Sequence, residues 1–461
     1  MLQNSIDAPT PMPHDRADYK RSCRMIRKIG LFCAFASFCA PALAGLSAPE
    51  TKMAAIVETE TARSIGLLEK LVNINSGTAN LAGVTTIGQM MRAELEPLGF
   101  TVRWVPMAAA GRAGHIIAVH DGAKGRKRLL LIGHLDTVFE PDSSFQHFTR
   151  HGSKAEGPGA GDDKGGMIVM LSALRAMKAA GTLAKANIEV VLTGDEENVG
   201  DPIAIARADL IAAARRADVA LDYEGLVRDN GRDMGSIARR SASSWIVRAS
   251  GKTGHSSGIF GANAGYGAIY ELARIIDSFR RDLPETNLTY NVGLIAGGAT
   301  EQTDAEGIRA TATGKSNIIA PVAEARGDMR TLSDEQTRRV RAKMAEIVAR
   351  HLPGTSADLT FPKDGYPAMA PTPGNQAILD ALNGVNRDLG LAVMPPLDPL
   401  KRGAGDISFV AKDVDSFAGM GPYSEGDHAP GETVDLDSIP LQAKRSAILM
   451  SRLTAERSAR R

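Results

Sequence analysis

Two strand-like apolar runs in this chain end in acids or a histidine, and a helix lies between them. Residues 129–136 finish in Gly133-His134-Leu135-Asp136, and residues 188–192 lead into Asp195-Glu196-Glu197. Between them comes a glycine-rich turn, Gly157-Pro158-Gly159-Ala160-Gly161-Asp162-Asp163-Lys164, followed by a helix-like apolar stretch over residues 167–180. A strand–helix–strand unit of this kind brings its polar ends to one edge of an open α/β sheet, where ligands bind. Carboxylates held together repel one another unless a cation offsets their charge. Asp-Asp-Lys-Gly alone reads as a solvated acidic loop. The acids and histidine at the neighbouring strand ends favour a metal hydrolase instead, with Asp162 between two metal ions.

A chain of 461 residues is too long for one ordinary core and predicts about two domains. With 43% hydrophobic and 23% charged residues, it is neither disordered nor a polytopic membrane protein. A net charge of +1 without a long basic run gives no reason to expect nucleic acid as a partner. Arg24, Arg27 and Lys28 precede the apolar run 29–40 and then Pro41-Ala42-Leu43-Ala44, a small-x-small cleavage pattern. We read residues 25–44 as a signal peptide starting at Met25 and cleaved after Ala44. The product is expected to be periplasmic or secreted, with no membrane attachment after cleavage, since the apolar run is short for a bilayer span. Cys23, Cys33 and Cys39, the three cysteines of the chain, precede the cut. Disulfides and thiolate sites are thereby excluded from the mature chain, so a metal must be held by His, Asp and Glu.

The mature sequence alternates helix and strand signals. Residues 64–72 and 84–98 have helical spacing, residues 100–105, 115–119 and 129–135 read as strands, and 204–215 as a helix before a short strand over 218–224. Such alternation predicts an α/β domain with a mixed, largely buried, helix-flanked sheet. Beyond residue 241 the order becomes strand 245–250, helix 264–281, strands 288–295 and 322–329, helix 335–350 and strand 358–361. That is the ferredoxin-like βαββαβ motif, inserted into the first domain. Pro371-Thr372-Pro373-Gly374 marks the return, and helices from Asn375 and Ile439 close the first domain. The expected organisation is a catalytic domain over 45–241 and 371–461, interrupted by a second domain over 242–370.

His134 and Asp136 lie two apart on a strand and share a face. Histidine is a nitrogen ligand for zinc, and a carboxylate can orient it. Of Glu196 and Glu197, one can bind metal while the other takes a proton from the attacking water. Glu224 ends a strand and offers another oxygen ligand, with Asp222 on the same face as the competing choice. His428, in Gly426-Asp427-His428-Ala429 just before the last helix, would complete a second site.

These blocks resemble, in order and spacing, the co-catalytic zinc peptidase family of glutamate carboxypeptidase, aminoacylase, acetylornithine deacetylase and succinyl-diaminopimelate desuccinylase. The pattern is most similar to the carboxypeptidase branch. The resemblance implies that His134 and Glu224 bind one Zn2+, that Glu197 and His428 bind the other, and that Asp162 bridges them, with Co2+ or Mn2+ as substitutes. It also implies that Asp136 orients His134, that Glu196 is the general base, and that the Asp162–Asp163 peptide is cis. The substrate would be a small peptide or an N-acyl amino acid with a free carboxylate. The inserted domain would form a homodimer, and His255 in Gly251-Lys252-Thr253-Gly254-His255-Ser256 would reach the neighbouring subunit's site. Asn317 and Arg330 match positions that contact substrate carboxylate, although Arg330 reads equally as a salt-bridge partner of nearby acids.

The sequence also departs from that pattern. Residues 298–315 form a longer connection than usual, and Pro321 comes one residue late. Tyr366-Pro367-Ala368 stands where glutamate-cleaving relatives carry an arginine, which speaks against glutamate specificity. Arg402, in Arg402-Gly403-Ala404-Gly405-Asp406, can supply the missing cation or be an exposed charge. Gly254-His255-Ser256-Ser257-Gly258 fits a nucleophile elbow, and Ser256, Asp406 and His428 follow in the Ser–Asp–His order, so a serine hydrolase is the alternative. It requires a helix directly after Ser256, whereas residues 259–265 read as loop, and it leaves the acid clusters without a role. A non-catalytic exported binding protein on a hydrolase scaffold is the third reading. The intact ligand and base positions argue against it.

Overall fold

The computed structural model describes residues 45–362 and 365–459. The segment 25–44 expected to be a signal peptide, and the cysteines Cys23, Cys33 and Cys39, lie outside the described residues.

The main sheet has six strands in the order Thr101–Pro106, Gly114–His120, Asn187–Thr193, Arg128–His134, Val219–Asp222 and Asp415–Phe417. The first two pairings are antiparallel and the other three parallel. Leu129, Leu130, Leu131, Ile132, Val190, Val191 and Leu192 are fully buried. A run apolar on both faces suits a sheet covered on both sides. On one face pack the helices Ala48–Val72, Lys164–Ala180 and Ser438–Ala455. Every residue from Lys164 to Met177 is buried, because this helix lies between the other two and the sheet. The helix Ala48–Val72 is longer than its periodic segment at 64–72 suggested. Glu50 starts it by accepting the Ser47 backbone N–H at 2.7 Å, the capping-box contact.

The opposite face carries a smaller cluster that includes Leu130, Ile132, Val191, Ala213, Ile407 and Val410. The helix expected over 204–215 is here two pieces, Ile203–Ala206 and Ala208–Ala214. Arg207 breaks it, because its guanidinium is drawn inward to Asp195 at 2.6 Å and Asp406 at 2.7 Å.

The inserted unit has the expected βαββαβ order, and its strands lie as Thr289–Tyr290, Val322–Arg330, Ser243–Gly251 and Thr355–Thr360. Leu294–Gly298 pairs on the same side of Val322–Arg330 as Thr289–Tyr290, so the single strand expected over 288–295 is split. The break falls where the chain crosses Gly327, whose Cβ, if present, would lie 1.7 Å from the Asn291 carbonyl. Helices Ala268–Asp282 and Asp334–Val348 cover this sheet around Trp245, Leu272, Phe279, Met329 and Met344. The long connection over 298–315 is a hairpin of Thr300–Thr303 with Ala310–Thr313. Asp304 closes its tip by accepting N–H groups of Ile308 and Arg309. His151 lies in a short strand paired with Lys154–Glu156 and is exposed.

Two chain crossings join the inserted unit to the main sheet. They pair with each other as an antiparallel ribbon, Arg239 opposite Met369 and Ala242 opposite Tyr366.

Candidate metal centre at the sheet edge

The parallel register sets the first ligands side by side. His134 pairs with Thr193, and Ile132 pairs with Asp222, so Asp136, Asp195, Glu196, Glu197 and Glu224 all emerge at the carboxyl edge. His134 is 1% exposed. Its Nε2 lies 2.9 Å from Asp162 Oδ1, and its Nδ1 lies 3.1 Å from the Asp136 carbonyl and 3.4 Å from Asp136 Oδ1. Burial opposes a proton on this ring, but the Asp136 and Asp162 carboxylates outweigh it and raise its pKa well above the ordinary range. The Asp136 carboxylate also holds the next strand end, accepting the N–H groups of Glu196 at 3.0 Å and Glu197 at 3.1 Å and the Thr78 hydroxyl at 2.6 Å.

Asp162 is presented by the glycine-rich turn, and its peptide bond to Asp163 is cis. Asp163 turns inward and accepts the His134 N–H at 3.1 Å. Gly166 follows because a Cβ there would lie 2.0 Å from both Asp163 Oδ1 and the Tyr223 carbonyl. His428 has φ 66°. Its Nε2 reaches Asp162 Oδ2 at 3.1 Å and Glu197 Oε2 at 3.2 Å. Ligand atoms of His134, Asp162 and Glu197 all lie within 4.8 Å of one another.

Charge crowding governs the acids. Burial pushes Glu197 up to about 10, with Asp162 adding to the effect. Glu196 is raised well above the usual carboxylate range by burial and by Glu224. Asp162 is held low despite its burial by hydrogen bonds from His134 and His428.

Glu224 lines a cavity of about 220 Å³ together with Asp162, Glu196, Arg239, Arg402 and His428. Its Oε2 pairs with Arg239 at 2.6 Å and Arg402 at 3.5 Å, while its buried Oε1 has no hydrogen-bond partner. Asp222 lies behind the cavity, 1% exposed and 3.0 Å from Arg239. Arg402 is not a surface charge. It is pulled into the cavity wall, where it donates to the Gly225 carbonyl at 2.7 Å, and its Nε is buried without a partner.

The inserted unit contributes differently. Arg330 pairs with Asp328 at 3.1 Å and sits beside Gly403 of the cavity loop. His255 and Asn317 are exposed on the paired strands Gly254–His255 and Ile318–Ile319 and their flanking turn, and neither lines the cavity of its own chain. His255 Nδ1 contacts Ser257 Oγ at 2.8 Å.

The serine triad is not assembled. Asp406 is buried against Thr193 at 2.5 Å and Arg207 at 2.7 Å, and His428 is engaged by Asp162 and Glu197. Ser256 begins a three-residue 3-10 turn rather than a helix.

Four supporting residues were missed in the sequence. Glu432 accepts the N–H groups of Gly159, Gly161 and Asp162 at 2.8–3.2 Å and so shapes the turn that carries Asp162. Lys164 is fully buried and donates to the carbonyls of Ile74 and Pro158. Arg207 and Arg239 are the others. A glutamate after Pro430-Gly431 and arginines in mixed-charge segments carry no local signal that separates them from surface charges.

A helix-flanked sheet that gathers acids around two histidines at its carboxyl edge is the scaffold of a metal-dependent hydrolase. Residues 130–452 match the profile of Peptidase family M20/M25/M40. The chain is 28% identical over 399 residues to carboxypeptidase G2 of Pseudomonas sp. (strain RS-16), spanning 85% of this chain and 89% of that protein. In fold it is similar to aminopeptidase PepT from Bacillus cereus ATCC 10987, with a TM-score of 0.67 at 18% identity over 85% of this chain and 98% of that one. It is also similar to the Bacillus subtilis YXEP protein, a dinuclear metal binding peptidase, with a TM-score of 0.60 at 15% identity over 86% and 99%. The chain belongs to peptidase family M20/M25/M40 and is a hydrolase of peptide or amide bonds.

Proposed function

We propose that this protein is an exported, homodimeric metallohydrolase with two Zn2+ per subunit. It cleaves an amide or peptide bond in a small peptide or N-acyl amino acid that carries a free carboxylate. The observation that carries this reading is the meeting of His134, Asp162, Glu197 and His428 beside the cavity into which Glu196 opens. The donor set fits the metal. It consists of imidazoles and carboxylates, and the buried Glu224 Oε1 lacks any other partner.

In this reading His134 and Glu224 would hold one ion and Glu197 and His428 the other, with Asp162 shared between them. When bound, the ions supply Lewis-acid polarisation of the scissile carbonyl and acidify water. Asp136 keeps His134 oriented and fixes the 196–197 backbone. Glu196, as the carboxylate in the cavity wall, accepts a proton from the attacking water and returns it to the leaving nitrogen. Arg402, with Arg330 and Asn317, binds the substrate carboxylate. A relative named as a carboxypeptidase and the placement of Arg402 in the cavity wall support that preference.

Residues 242–370 serve as the dimerisation lid, and His255 acts on the partner's site. Residues 25–44 direct export, and among the described residues no helix is long and apolar enough to cross a membrane. The test is zinc titration of protein beginning at Gly45, combined with a screen of N-acyl amino acids and dipeptides. About two equivalents should bind, a chelator should abolish hydrolysis, and Co2+ or Mn2+ should restore it. Full activity without metal, with phosphonate labelling of Ser256, would overturn the reading.

A further inference from the structure

We propose that Tyr366 and Arg239 are positioning residues through which the ribbon between the two units sets the geometry of Glu196 and Glu224. The proposal rests on the roles given to those two acids above. The ribbon is held by reciprocal backbone bonds between Arg239 and Met369, both 2.9 Å, and by Ala242 N–H to the Tyr366 carbonyl at 3.0 Å. One side chain from each ribbon strand reaches the catalytic loops.

The Tyr366 hydroxyl donates to the Glu196 carbonyl, and its ring packs 5.0 Å from that of Phe409. The Glu196 N–H is already held by Asp136 from the main sheet. The residue that carries the base is therefore gripped on one side by the sheet and on the other by the ribbon. Arg239, 4% exposed, spreads its guanidinium over four partners: the carbonyls of Gly403 and Ala404 and the carboxylates of Asp222 and Glu224. It thus ties Glu224 and the loop bearing Arg402 to the same ribbon.

Because both side chains stand on the strands that lead into the inserted unit, a movement of that unit that shifts the ribbon also shifts these contacts. The orientation of that unit and the geometry at Glu196 and Glu224 are then coupled. Coupling is reciprocal, so an ion that engages Glu224 must bias the inserted unit's orientation.

Residues 45–461 contain no cysteine, which allows clean labelling. Lys52→Cys and Glu335→Cys, both at exposed positions on the two units, would carry a fluorescence donor and acceptor. Labelled chains are diluted into unlabelled protein so that transfer within one chain is read. Zinc added to metal-free protein should change the transfer efficiency. Tyr366→Phe and Arg239→Lys should each remove at least about half of that change while the zinc stoichiometry stays that of the parent. Tyr366→Phe should also lower kcat roughly 3- to 10-fold with KM unchanged, the scale of one hydrogen bond. A melting temperature close to the parent's would exclude a folding defect as the cause. Zinc binding with no transfer change in the parent, or with a change and a kcat that Tyr366→Phe leaves intact, overturns this proposal alone. Failure of the parent to bind zinc overturns the metal reading and this proposal together.

Discussion

Removing metal from this site should reverse the pH dependence of its stability. Without a cation, burial pushes Glu197 up to about 10, and burial with Glu224 pushes Asp222 up to about 7. Burial and Asp162 likewise raise Glu432 to about 7, and Glu196 is raised well above the usual range. In the unfolded chain these groups ionise near 4.5 for Glu and 3.8 for Asp. Between the unfolded and folded values the native state binds more protons, so stability falls as pH rises. The slope is about 1.4 kcal/mol per pH unit for each proton. Glu197 alone, with a side chain 4% exposed, would therefore cost about 3 kcal/mol between about pH 5 and about pH 7. His134 and His428 carry raised values as well, and their contribution is also lost as pH climbs above 6.5. Lys164 has the opposite sign, since burial lowers it to about 7, but it contributes only above that pH. Bound zinc requires its ligands deprotonated, so its stabilisation grows with pH. In thermal or denaturant unfolding, chelated protein should lose roughly 5 °C between about pH 5 and about pH 7, while zinc-loaded protein stays level or gains. Glu197→Gln should make the chelated profile shallower by about the share assigned to Glu197, leaving the slope due to the other raised groups. Chelated protein that becomes more stable over the same interval while still binding zinc would refute the reasoning.

Glu196→Gln keeps the shape of the side chain but cannot accept a proton, so kcat should fall at least ~10²-fold with metal content unchanged by elemental analysis. A lost ion in Glu196→Gln, but not in Glu197→Gln, would mean the two roles are reversed. His255→Ala should cost about 10²–10³-fold in kcat if its N–H meets negative charge on the partner's tetrahedral intermediate. Co-refolding it with Glu196→Gln should then restore roughly a quarter of parental activity, because a mixed dimer has one site with both residues intact. Confirmed mixed dimers without recovery would place the action of His255 within its own chain or nowhere in the reaction.

The strand ends at His134, Glu196 and Glu224 and the turn at Asp162 were legible because their signals are local. Continuous apolar runs, glycine spacing and acids at the ends of strands reflect neighbouring backbone conformation. The absence of cysteine after Cys39 likewise decided the ligand chemistry from composition alone. The inserted βαββαβ order was legible too, but the split at Asn291 was not, since it arises from contact with Gly327 on another strand. Asp222 and Glu224 share a strand face in the sequence. Only the packed structure puts Glu224 in the cavity wall and Asp222 behind it under Arg239. Arg402 could be read as either cation or surface charge until the Gly225 carbonyl and Glu224 were seen to hold it. Glu432 meets the Asp162 turn across 270 residues, and Tyr366 meets Glu196 across 170. Long polar side chains look alike in sequence whether they end in water or in a buried network, and the partner that decides between those fates is supplied only when distant segments pack.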